Sequence, residues 1–111
     1  MTVSGTRWAH YWACRGDARD VYGFLRTGAG LPFPAAPSPS IPGAVIFESK
    51  PSFFSEKEII EVTVVSTGSG STLTFRGIDG RPLDPQANPK GIGPRIIGAI
   101  EQRYGRLAPS G

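Results

Sequence analysis

Side chains that carry chemistry are scarce in this sequence. Cysteine occurs once, at Cys14, and histidine once, at His10. An intrachain disulfide is therefore excluded, and a Cys/His zinc site cannot be assembled from this chain alone. Only 19% of the residues are charged, and Lys and Arg never gather into the dense stripe of a dedicated nucleic-acid binder. Long apolar runs are missing too. No 18 apolar residues stand together, which excludes a membrane-spanning helix, and no apolar stretch follows a basic N-terminus as in a signal peptide. A cytoplasmic location is the default expectation, provided no targeting segment has been removed.

What is present points to one small folded unit. The 111 residues, 39% of them apolar, suit a single domain spanning 1–111, which would bury roughly 60 to 70% of its unfolded surface around one core. Glycine (15) and proline (11) are abundant, so turns and extended loops must take up much of the chain. The net charge of +3 is uneven. Up to residue 75, Arg7, Arg15, Arg19, Arg26, Lys50 and Lys57 balance Asp17, Asp20, Glu48, Glu56, Glu58 and Glu61; the excess lies in the last third.

Periodicity locates the elements. Over 6–15, Trp8, Trp12 and Cys14 share a strand face while Trp8, Tyr11 and Trp12 share a helix face; three aromatics within five residues favour the strand. Asp17 can cap a helix over 17–27, with Val21, Tyr22, Phe24 and Leu25 on one side and Gly28 as the stop. Gly23 inside it costs roughly 1 kcal/mol relative to alanine, unless close packing requires it. Five prolines make 28–43 a loop, onto which PxxP spacing (Pro34/Pro37, Pro39/Pro42) is written.

From residue 44 the period becomes two. Val45 and Phe47 mark a short strand; Ile60, Val62 and Val64 oppose Ile59, Glu61, Thr63 and Val65; Leu73 and Phe75 oppose Thr72, Thr74 and Arg76. TGSGS (67–71) connects the latter two as a hairpin. A second Pro/Gly loop (79–91) leads to Pro94 and a helix over 94–104, with Ile96, Ile97, Ile100 and Tyr104 at helical spacing. The expected fold is α+β: a small antiparallel sheet of about four strands with two helices on one face, in the order β-α-β-β-β-α.

A leading strand, a helix beginning GDARDVYGFLR, a hairpin carrying GSGSTLTF and a closing helix are similar in pattern to part of the START-like (polyketide cyclase type) ligand-binding fold. Several small α+β families of unassigned role share that pattern. The START-like resemblance implies a carrier of a small apolar ligand, held between sheet and helices by residues such as Phe24, Val62, Phe75 and Ile97.

Candidate sites are few. His10 and Cys14 invite a thiolate–imidazole dyad, but on a strand four residues span about 13 Å, beyond hydrogen-bond reach. The sequence therefore reads as non-enzymatic and free of cofactor. Lys90, Gly91, Gly93 and Arg95 form a helix start with two cations and two glycines, a candidate site for phosphate or a nucleic-acid backbone. The segment matches neither the P-loop nor the dinucleotide fingerprint, and a plain loop-to-helix junction is the favoured reading of it.

Arg15-Gly16-Asp17 spells an adhesion tripeptide but most simply marks a turn and helix cap. Glu56, Glu58 and Glu61 read as a solvated edge rather than an acid–base pair. Trp8, Tyr11, Trp12 and Phe33 are candidate partner contacts, while Phe53 and Phe54 read as core or patch. The expectation for function is a protein-binding or accessory domain, of the kind found as a small subunit of an assembly. The alternatives are the apolar-ligand carrier and the Lys90–Arg95 anion site.

Overall fold

Strand alternation and two capped helices organise the chain. The computed structural model describes residues 11–49 and 57–110. In chain order it contains β1 (Tyr11–Cys14), α1 (Ala18–Arg26), β2 (Ala35–Pro37), β3 (Ala44–Glu48), β4 (Ile59–Thr67), β5 (Gly70–Arg76), α2 (Ile92–Tyr104) and β6 (Ala108–Ser110). The strands form one sheet in the spatial order β2-β3-β4-β5-β1-β6, with every neighbouring pair antiparallel.

The register lines the apolar positions up on one face. Val45 lies opposite Val62 and Phe47 opposite Ile60; Val62 lies opposite Phe75 and Val64 opposite Leu73; Leu73 in turn meets Trp12. All eight are buried, and they form one cluster with Val21 and Leu25 of α1 and with Ile92, Ile96, Ile97 and Ile100 of α2. Removing this surface from water is the main favourable term in folding a chain of this size.

Local signals begin and end α1 and end α2. The Asp17 carboxylate accepts the Arg19 N–H at 3.2 Å, and the chain leaves α1 through Thr27, whose hydroxyl donates to the Gly23 and Phe24 carbonyls. Gly28, Ala29 and Gly30 then adopt positive φ. A methyl added at Gly23 would meet no neighbouring atom within 4 Å, so close packing does not explain that glycine. α2 starts two residues earlier than its proline suggests, with Pro94 inside the first turn where a missing N–H costs nothing. Gly105, with φ of 93°, ends it.

The expectation of about four strands is corrected to six, and the order gains two strands. β2 lies inside the proline-rich segment read as a loop, and β6 follows the closing helix. Neither AAP nor APS shows alternation, because each is only three residues long and exposed along most of its length. Each is a strand only because its backbone pairs with a longer one: Ala36 lies opposite Ile46, and Pro109 opposite Trp12. For 6–15 the structure describes Tyr11–Cys14 as strand, with Trp12 and Cys14 buried and Tyr11 and Ala13 outward. Trp8, His10, Phe53, Phe54 and Glu56 lie outside the described residues.

Candidate functional site

The face of the sheet away from the helices carries the residues that alternate with the core. Along β4 these are Ile59, Glu61, Thr63 and Val65, about 20 Å of strand. Register places Ile46 beside Glu61 and Glu61 beside Arg76; Thr63 sits between Ala44 and Thr74; Val65 meets Thr72, which meets Ala13. Tyr11 continues the same face two residues from Ala13. Thr63 and Thr74 are buried in this layer, and Arg76 Nη1 donates to Thr63 Oγ1 at 3.1 Å.

Large apolar side chains stay exposed on this side. Tyr11 is 49% and Val65 54% exposed. At the opposite end, Ile78 is 82% exposed at the rim of a cleft of about 350 Å3. Among the described residues, the loop from Pro39 to Ile41 forms one wall of the cleft, Ile46 and Ile59 add apolar surface, and Glu48 and Glu61 are its ionisable groups. Glu48 is paired with Lys57 at 3.4 Å, at the surface. Glu61 is half-buried and has no hydrogen-bond or ion-pair partner among the described residues.

Strand addition at the edges of the sheet is disfavoured. Among the described residues β2 and β6 are the outermost strands, both are short, and each contains a proline, Pro37 or Pro109. A proline cannot donate to a further ladder, and very short edge strands offer little template.

The start of α2 is built differently from the anion site its residues suggest. Gly91 and Gly93 are buried while Lys90 and Arg95 are exposed. Glu58, at the foot of β4, accepts the Ile92 N–H at 2.8 Å with Oε1. A Cβ at Gly91 would lie 2.7 Å from both carboxylate oxygens of Glu58, and one at Gly93 would overlap the Pro85 carbonyl. The close approach that glycine permits is thus used by the chain's own carboxylate and backbone. The positive end of the helix dipole already faces an anion. Arg95 lies over the Phe33 ring, 4.9 Å from its centroid.

The remaining sequence candidates separate. Trp12 is only 1% exposed, so it belongs to the core while Tyr11 does not. Phe33 packs at the core's margin. Val62, Phe75 and Ile97 are buried together, whereas Phe24 is partly exposed against Tyr104, ring edge to face at 5.8 Å. Three clefts lined by described residues include none of Val62, Phe75 and Ile97. Phe24 and Arg103 stand between two of them, of about 590 and 390 Å3 on the outer side of the helices. The Arg103 guanidinium stacks on Phe24, and the Tyr104 hydroxyl donates to Asp20.

Cys14 is buried. Gly16 of the Arg-Gly-Asp tripeptide is also buried, against Tyr104 and Val21, while its carbonyl accepts the Ser71 hydroxyl at 2.8 Å. The tripeptide forms a strand-to-helix corner.

Sequence reasoning placed Ile59, Glu61 and Val65 on the wet face. It missed Ile78 and the wall at Pro39–Ile41, which lie in loops without period, and it missed the capping role of Glu58, 34 residues from Ile92. Among the described residues, no three His, Cys, Asp or Glu side chains gather as metal ligands, and no helix is long and apolar enough to cross a membrane. Compared with protein families, curated proteins and solved structures, the chain shows no significant match to any, so the START-like likeness rests on element order alone.

Proposed function

We propose that this chain is a non-enzymatic protein-binding or accessory domain, and that it meets its partner with the helix-free face of the sheet. The carrying observation is the exposure of Tyr11, Val65 and Ile78 on that side, while both helices bury their apolar faces on the other. Exposed apolar groups among polar ones are the composition of a protein contact surface rather than of a catalytic pocket. The prolines in β2 and β6 favour docking on the face over pairing at an edge.

The reading is tested by placing a photo-crosslinking residue at Val65 in the full chain, and a control at Arg26 on the exposed side of α1. In extract of the source cells, Val65 should yield a discrete protein adduct and Arg26 none. A strictly monomeric chain in native mass spectrometry, with no adduct at Val65, would refute it.

A further inference from the structure

We infer that the cleft bounded by Ile46, Ile59, Glu61 and Ile78 receives an arginine side chain that the partner polypeptide presents between apolar residues. This rests on the protein-binding reading above and names the chemistry of what docks.

Charge complementarity carries the argument. Among the described residues the cleft is lined mainly by aliphatic carbon and by two carboxylates, with no cation among them. Glu48 has Lys57, but Glu61 has no partner among the described residues. A half-buried carboxylate beside isoleucine loses hydration without gaining a hydrogen bond, and a cation from outside would supply one. Arg76, directly across the strands from Glu61, donates instead to Thr63, so no described residue donates a hydrogen bond to the Glu61 carboxylate.

Arginine fits better than lysine. Its guanidinium is more weakly hydrated than an ammonium, it offers several donors in one plane, and its stem packs on apolar walls. A volume of about 350 Å3 is near the lower limit for ligand pockets and suits one long side chain with its flanking residues. The chain's own charge of +3 opposes a polybasic partner, so a single arginine in an apolar setting is the favoured occupant.

The test is a titration of the 15N-labelled full chain with acetyl-Leu-Arg-Leu-amide, and with the same peptide carrying citrulline for arginine. The expected result is saturable shifts at the amides of Ile46, Ile59, Glu61 and Ile78. Binding should weaken about tenfold with the citrulline peptide or with Glu61→Gln, the loss of one charge-assisted contact. Ile78→Ser changes a side chain too exposed to affect folding and should weaken binding as well.

Absent shifts, shifts centred elsewhere, or equal affinity for both peptides would overturn the inference. So would concentration-dependent shifts at the cleft without peptide, which would assign it to a second copy. If the peptide fails while the Val65 crosslink still captures a protein, only the arginine inference falls. If cleft shifts appear but no crosslink forms, the inference stands and the wider contact face falls.

Discussion

Removing the Glu58 carboxylate should weaken the whole domain, because α2 has no other side-chain cap at its start. Gly91 occupies the N-cap position and brings no side chain, so the Ile92 N–H depends on Glu58 Oε1, 2.8 Å away. Both Gly91 and Ile92 are buried. In Glu58→Ala that N–H loses its partner in a place water reaches poorly, a loss of about 1–3 kcal/mol. Losing a negative charge at the positive end of the helix adds about 0.3–1 kcal/mol.

The sum, about 2 kcal/mol, corresponds to a fall of about 10 °C in Tm for a domain near 100 residues. Glu58→Gln keeps an oxygen acceptor but not the charge, and should lose about half as much. Urea unfolding followed by circular dichroism at 222 nm, with calorimetry alongside, measures both variants. A Glu58→Ala protein within about 0.5 kcal/mol of the parent would refute the capping role, since that is the range of an indifferent surface substitution.

Gly23→Ala should stabilise the domain by about 0.5–1 kcal/mol, because the added methyl meets open space and the helix gains propensity; a decrease in the urea midpoint would contradict this. Gly93→Ala should destabilise by about 1–3 kcal/mol, since its Cβ would overlap the Pro85 carbonyl and the backbone must shift; unchanged stability would mean that the 79–91 loop yields freely. Burial first, and then the hydrogen bond to the Asp20 carboxylate, raise the Tyr104 phenol above its ordinary value of 10.0. A raised folded value means that the neutral phenol is the form the fold favours. That contribution is complete below pH 10 and is lost as pH climbs through the folded value. Tyrosine-selective 13C NMR should find Tyr104 titrating above 10, and Asp20→Asn should move it part of the way back, with burial retaining the remainder.

The sequence alone determined the alternating strands, the N-cap at Asp17 and the helix behind Pro94. Each of these is written in neighbouring residues: a period of two, a period near 3.6, and a capping residue at a fixed offset. It also separated Ile60, Val62 and Val64 from Ile59, Glu61 and Val65, and so it defined the two faces of the sheet. Tertiary structure decided what depends on residues far apart in the chain. β2 and β6 are strands only through their partners' backbones, and the α2 start is capped from β4 rather than left open to an external anion. The cleft at Glu61 likewise exists only because two aperiodic loops, around Ile41 and Ile78, close on one end of the sheet. Local propensity encodes none of these, since each free energy arises when distant segments exclude water together.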